Sequence, residues 1–187
     1  MNTAAAPLRT SAPSAISRQA LQLAQRVLDL AGVQAKPHDM CQASTQVARC
    51  LKAMADLSAA ETYLIKALVW SDLIPCVDVR VDLMCELSEL AACQAEALAG
   101  GDESQPMHAA LERARDLATE AARLAGQTSD AHWEVKVLLR VSDTLNRCGD
   151  HDDAALLQNR AIALLGLQPA EEPPADALRS AGPTQLM

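Results

Sequence analysis

The feature that most constrains the fold is a thirteen-residue pattern that occurs four times along the chain. Each copy begins with alanine, has a large residue at its fourth and eleventh places and has valine or alanine at its eighth. Spacings of three and four residues put these places on one side of an α-helix. The registers start 40, 54 and 40 residues apart, which indicates an internal repeat with one insertion. The four segments are residues 20–32, 60–72, 114–126 and 154–166.

The last place of the pattern is glycine in three of the four copies: Gly32, Gly126 and Gly166. Glycine at this point suits the left-handed backbone conformation that closes many helices. We therefore expect each of these helices to end at or near its glycine.

The composition of the 187-residue chain favours helix packing over sheet formation. Half of the residues are hydrophobic, but aromatic residues make up only 2% and phenylalanine is absent. Sheets favour aromatic and β-branched side chains, whereas alanine is the best helix former and lets helices approach closely. The length suffices for one domain with its own core. We expect an all-α domain.

Three segments between the repeat copies also have helical periodicity, with apolar residues recurring every three or four positions. They are residues 40–54, 78–98 and 130–148, the last after a cap at Ser129 or Asp130. Each would pair with the copy that follows it as an antiparallel hairpin. A hairpin cannot bury both of its apolar faces alone, so the hairpins are expected to stack.

The predicted fold is a short α-solenoid of about seven helices over residues 14–166, which is three and a half hairpins. Residues 1–13 are small, polar and Pro-containing, and residues 167–187 are rich in Pro, Ala and acidic residues. Such compositions cannot bury much surface. We predict two flexible ends, of which the second could occupy a groove of its own chain.

Charge and hydropathy exclude two classes of partner. The net charge of -8 and the pI near 4.9 argue against nucleic acid, whose binding requires Lys and Arg. No apolar stretch has the length of a membrane span, and the N-terminus lacks the apolar core of a signal peptide. Six cysteines without any CxxC pair suit reduced thiols better than disulfides or a zinc framework. We expect a cytoplasmic protein without a membrane association.

The segment GDHDD, residues 149–153, has the residue types of a metal site. It also lies where the fourth repeat helix should begin, and acidic side chains stabilise the positive end of a helix. The first unit has a corresponding turn with one acid and no histidine. We therefore interpret GDHDD as a helix start and predict no metal.

The turns and alanines resemble those of the tetratricopeptide repeat. A short helix, a turn of the Gly-Asp type and a second helix with alanine at its start and again seven residues later are the family's pattern. The usual period is 34 residues, so the present spacing resembles the longer variety of bacterial regulators and kinesin light chains. The middle unit departs from the pattern between residues 92 and 106. The matching residues are Gly149-Asp150, Ala154 and Ala161 in the last unit and Ala55-Asp56, Ala60 and Ala67 in the first.

The resemblance implies a right-handed solenoid whose first helices line a concave groove for an extended peptide or a partner helix. Five of the eight groove residues are basic, which favours an acidic peptide or a C-terminal carboxylate. Local pairing with Glu134 or Asp143 is the alternative explanation of these cations. The family's carboxylate clamp is not predicted, because only Lys136 and Arg140 match it. The groove residues are Gln42, Thr45, Arg49, Lys52, Lys136, Arg140, Asp143 and Arg147.

The sequence favours a non-enzymatic protein-interaction module, acting as a scaffold or as an accessory or regulatory subunit. It has none of the common phosphate-binding, nucleophile-elbow or metalloprotease motifs, and no cofactor is predicted. A small-molecule-sensing domain with an apolar pocket is the second interpretation. An enzyme with Cys41 or Cys148 near a histidine is the third.

The N-terminal end of the solenoid would lack the first helix of its hairpin. In the repeat register, Ala20, Leu23, Val27 and Leu30 are expected to lie inside. Apolar residues on the outer side, such as Leu21 and Leu28, would then form an open patch. Solenoid ends need a polar outer face to stay soluble. An apolar patch at this end could instead be covered by a second copy of the chain, so a homodimer is possible.

Overall fold

The structure, a computed structural model, describes residues 14–99 and 104–166. These residues form seven α-helices and no β-strand, which confirms the all-α prediction. The predictions about residues 1–13 and 167–187 lie outside the described residues, and so do residues 100–103 of the middle unit's departure from the repeat pattern. The helices are α1 (Ala15–Gln34), α2 (Pro37–Ala53), α3 (Leu57–Ser71), α4 (Val77–Leu98), α5 (Ser104–Ala125), α6 (Ala131–Arg147) and α7 (His151–Leu164).

Short polar side chains begin several helices by accepting hydrogen bonds from free backbone N–H groups. The Ser14 hydroxyl accepts from the N–H of Ser17 at the start of α1. The Asp56 carboxylate does the same for α3, and Asp130 accepts from two N–H groups of α6. Pro37 opens α2, where its missing N–H costs nothing. Of the two caps considered for α6, the structure uses Asp130.

The helices stack in chain order, because each packs against the next and α4 also packs against α6. The hairpins are α2–α3, α4–α5 and α6–α7, preceded by α1 as a single helix. The repeated alanines of the second helices are at most 1% exposed, so they permit the close helix approach that the pattern predicts. They are Ala60, Ala67, Ala114, Ala121, Ala154 and Ala161.

The insertion in the middle unit lengthens both helices of the α4–α5 hairpin. Each has 22 residues, against 14 to 17 in the helices of the other two hairpins. The extension packs through small residues, with Ala91, Ala92 and Ala114 in a cluster of their own around the buried Cys148. The longer hairpin therefore adds contact between α4 and α5 without a change of architecture.

The glycines close fewer helices than expected. Gly149 and Gly166 have the left-handed conformation, with φ of 85° and 70°, and close α6 and α7. Gly32, in contrast, lies within α1, which continues to Gln34 and ends at the left-handed Ala35. The left-handed residue that closes α1 is therefore Ala35 and not Gly32, the residue that the repeat register predicted. Gly126 follows α5 without a left-handed backbone.

The prediction of which side of α1 faces the core is also wrong. Leu21, Ala24 and Leu28 pack towards α2, whereas Leu23 is 64% exposed. Ala20, Val27 and Leu30 are exposed with it. In the complete hairpins the corresponding places are buried or half-buried, apart from Leu164. Because α1 has no such partner among the described residues, these side chains face outwards.

Candidate partner-binding surface

The eight predicted groove residues lie on two helices on either side of α4. Gln42, Thr45, Arg49 and Lys52 belong to α2, and Lys136, Arg140, Asp143 and Arg147 belong to α6. In each set the residues are three or four positions apart, so they form one stripe of their helix. Between them, α4 presents its own stripe of Asp82, Glu86, Glu89, Cys93 and Glu96 at the same spacing.

The α2 cations pair with this acidic stripe. The Arg49 Nη2 is 2.5 Å from the Glu86 Oε1, and its Nε donates to the same oxygen at 2.8 Å. The Lys52 Nζ is 3.4 Å from the Glu89 Oε2. These contacts tie the first hairpin to the second.

The α6 cations pair with the same stripe from the other side. The Arg140 guanidinium lies 2.8 Å from the Glu89 Oε1 and 3.5 Å from the Asp82 Oδ1. Arg147 donates to the Glu96 Oε1 at 2.8 Å and to the Cys93 Sγ at 3.1 Å. Glu89 therefore accepts from both Lys52 and Arg140 and connects three helices. We call this set the ion-pair ladder: Arg49, Lys52, Arg140 and Arg147 with Asp82, Glu86, Glu89 and Glu96.

The ladder corrects the expected charge of the groove. Four of the five predicted cations face carboxylates of α4, so the surface has mixed charge rather than a basic excess. Within residues 14–99 and 104–166, Lys136 is exposed and makes no ion pair. The expectation considered the cations of α2 and α6 but not the acidic residues of α4, the helix that lies between them.

The local partners expected for these cations are also different. The Glu134 side chain is only 7% exposed and lies 2.5 Å from the Arg160 Nη2 of α7. It therefore stabilises the α6–α7 hairpin and takes no part in the groove. Arg160 reaches it across Gly126, where an added Cβ would meet the guanidinium at 2.4 Å.

The carboxyl groups of the ladder differ in acidity. Burial raises the pKa of Asp82 despite the neighbouring Arg140, which acts in the opposite direction. The hydrogen bond from Arg147 lowers the pKa of Glu96. The Asp82 carboxyl is therefore protonated more readily than a free aspartic acid, and the Glu96 carboxyl less readily than a free glutamic acid.

A cleft of about 290 Å³ opens between α2 and α4 beside the ladder. Buried Cys41 and Leu83 and the half-buried Val79 supply its apolar wall. The remaining lining residues are polar, and three of them, Gln42, Thr45 and Arg49, are predicted groove residues. The other polar residues are His38, Gln46, Asp82 and Glu86.

The structure brings Gln42, Thr45 and Arg49 of the predicted site into one cleft but leaves Lys52 of α2 and all four α6 residues outside its lining. The residues that line the cleft from α4 were not predicted as site residues; they are Val79, Asp82, Leu83 and Glu86. A signal for the acidic part existed, because Asp82, Glu86 and Glu89 are spaced as one helical stripe. It could not be assigned to the cleft before the packing of α4 was known.

Cys41 and Cys148, the thiols considered for catalysis, are buried and only weakly acidic. Burial raises the pKa of Cys41 and of Cys148 and raises the pKa of Cys85 to about 12. A nucleophilic cysteine needs the opposite shift, since its thiolate is the reactive form. His151, three positions after Cys148, is exposed, and its Nδ1 lies 3.1 Å from the Asn146 Oδ1.

We expect one fast-reacting thiol in the folded chain, that of the exposed Cys76. Labelling with an aromatic disulfide reagent at neutral pH should modify Cys76 first, then the half-buried Cys50 and Cys93. The buried Cys41, Cys85 and Cys148 should react only on unfolding, because both access and acidity oppose thiolate formation. Cys76→Ser should abolish the fast phase, and a fast phase that mapped to Cys41 or Cys148 would restore the enzyme interpretation.

The GDHDD segment forms the turn and first residues of α7, as predicted. Gly149 makes the left-handed turn, and Asp152 and Asp153 lie in the first turn of the helix. Arg115 of α5 donates to the Asp150 carboxylate and to the Cys148 carbonyl, so the turn is fixed against the middle hairpin. In the described part of the chain no three His, Cys, Asp or Glu side chains converge as metal ligands.

Of the described helices, none combines the length and the apolarity that a membrane crossing requires. No known family model matches the chain, and no curated protein matches it at a significant level. Among solved structures, BtubC (BKLC) from P. vanneervenii is similar at 14% identity with a TM-score of 0.38. That match covers 92% of this chain and 78% of BtubC. Similarity at this level assigns neither a family nor a function.

Proposed function

We propose that the chain is a non-enzymatic interaction module of the tetratricopeptide type, which binds a segment of a partner protein on the side of α2, α4 and α6. The observation that carries the proposal is the α2–α4 cleft, where an apolar wall meets a polar rim. A partner side chain could fill the apolar part while its backbone and polar groups use the rim. The groove residues Gln42, Thr45 and Arg49 are proposed as its α2 side.

An acidic group of the partner is proposed to bind at the Arg49 end of the cleft. Arg49 is 57% exposed at its side chain, whereas the Glu86 carboxylate beneath it is only 12% exposed. The cation is therefore the more accessible member of the pair and can take a second carboxylate. Lys136 is a further cation for the same partner, farther along on α6.

The ion-pair ladder supports this function by holding three helices in one arrangement before a partner arrives. A surface that is already ordered loses less conformational entropy on binding than one that must be assembled. Its main role in binding is therefore to position α2 and α6 against α4, and Arg49 is the ladder cation proposed to contact the partner as well.

Thr45→Trp should abolish partner binding by filling the cleft. The matched control is Thr62→Trp on α3, because both hydroxyls donate to the carbonyl four residues earlier. We expect a protein captured from the source organism by the unaltered chain and by the control, but lost with Thr45→Trp at unchanged helix content. Capture by all three chains would contradict the cleft. Failure of the unaltered chain to capture any protein would favour the small-molecule-sensing interpretation.

A further inference from the structure

The terminal helix α1 carries a second apolar stripe that no described residue covers. One face packs on α2 through Leu21, Ala24 and Leu28. The neighbouring face exposes five large aliphatic side chains, with exposed fractions from 47% to 84%. They are Ile16, Leu23, Val27, Leu30 and Val33.

The spacing of this stripe suits another helix. Ile16, Ala20, Leu23, Val27 and Leu30 alternate between steps of four and three residues. A seven-residue apolar repeat keeps one seam of a helix in contact with a second helix that crosses it at a small angle. An extended peptide or a flat surface would not require such regular spacing.

The surface beside the stripe also has room for a helix. A groove of about 440 Å³ runs between α1 and α2 and is lined by Val27 and Leu30 on one side and by Gln42, Ala43 and Gln46 on the other. A helix in this groove would pack on α1 in the way that the first helix of a hairpin packs on the second. Among the described residues, this end of the helix stack is therefore open at the position where its own architecture would place a helix.

The two ends of the solenoid differ, which limits the possible occupants. At the other end, Leu156, Leu164 and Leu165 are exposed, but the polar Asn159 and Arg160 interrupt the face of α7 between them. This end therefore offers no continuous apolar stripe to receive α1, so head-to-tail stacking of copies would leave the α1 stripe unmatched. A two-fold arrangement, in contrast, puts the same stripe on both sides of the contact.

We propose that α1 pairs with α1 of a second copy to form a homodimer. Five aliphatic side chains of this exposure present roughly 80 Å² each, so two copies would bury roughly 800 Å² of apolar surface through them alone. The flanking polar residues of α1 and α2 raise the total towards the roughly 1,000 Å² that specific interfaces need. The corrected stripe thus replaces Leu21 and Leu28 as the dimer surface.

The dimer surface shares only Gln42 and Gln46 with the lining of the α2–α4 cleft, and the variants of either test change neither residue, so each proposal can fail without the other. The test is the molar mass of the full chain by light scattering over a concentration series. We expect a dimer of twice 19.8 kDa, and a loss of self-association by at least a factor of ten in Leu23→Glu/Leu30→Glu. The control, Val69→Glu/Leu156→Glu, changes equally exposed side chains on α3 and α7 and should remain a dimer.

Three results would overturn the proposal. One is an unaltered chain that is monomeric at every concentration, which would assign the stripe to residues 1–13 or 167–187 of its own chain or to a different protein. The others are a Leu23→Glu/Leu30→Glu variant that stays dimeric, and equal dissociation by the control. Because all four side chains are exposed, far-ultraviolet circular dichroism should confirm that both variants keep the helix content of the unaltered chain.

Discussion

Replacing Leu138 with alanine is expected to lower the free energy of unfolding by about 3 kcal/mol. Leu138 is fully buried on α6, in the core that α4, α5, α6 and α7 share. The change removes apolar contacts and leaves a cavity that helices fixed on several sides cannot close. In a domain of this size the loss corresponds to a fall in melting temperature of roughly 10 °C.

The neighbouring Leu139 provides the matched control, because it is 46% exposed and points away from the same core. Leu139→Ala should cost about 0.5 kcal/mol or less. Urea titration of both variants, with the denaturant slope compared between them, measures the difference. Equal losses in the two variants would show that α6 does not pack on the core in this orientation.

Reversing the charge of Arg140 should destabilise the chain by about 2 kcal/mol. The new carboxylate of Arg140→Glu would face Asp82 and Glu89, so the substitution removes two attractions and adds two repulsions. Arg140 is 35% exposed at its side chain, which limits the effect because solvent screens the charges. The value is therefore below that of a fully buried pair.

Lys136→Glu, one turn earlier on α6, makes the same charge change at an exposed residue. It should alter stability by about 0.5 kcal/mol or less. The difference between the two variants, measured by urea titration, should shrink in concentrated salt, since screening weakens the repulsion around residue 140. A difference that is absent in dilute salt would indicate that the ladder contributes nothing to the association of α4 with α6.

The number of helices and their pairing could be predicted because one local signal determines both. Alanines such as Ala60 and Ala154 recur at helix spacing and are fully buried where second helices meet first helices. The turn at Gly149 was predictable for a similar reason, since glycine and the acids after it favour a helix start. These features depend on residues close in sequence.

The side of α1 that packs could not be predicted from its periodicity. Leu21 and Leu28 form one apolar stripe, Leu23 and Leu30 form another, and both have helical spacing. Which stripe is buried depends on the position of α2 and on the first helix that α1 lacks among the described residues. The register favoured the stripe that is buried in complete hairpins, and α1 does not belong to one.

The charge of the groove could not be predicted because it is a property of three helices together. Arg49 and Arg140 are 91 positions apart in sequence, yet both meet acids of α4. Sequence spacing gives the stripe on each helix but not the distance between stripes. The cleft has the same origin, since Cys41 and Leu83 form one wall only after α2 and α4 have packed.

Site-specific photo-cross-linking tests the central claim most directly, because it reports which surface of the folded chain touches a partner. A photoreactive residue would replace the exposed His38, which lines the cleft, and, in a second chain, Thr62 on α3. We predict a cross-link to the captured partner from position 38 and none from position 62. A cross-link from position 62 alone, or equal yields from both positions, would contradict the assignment of the α2–α4 cleft as the partner-binding site.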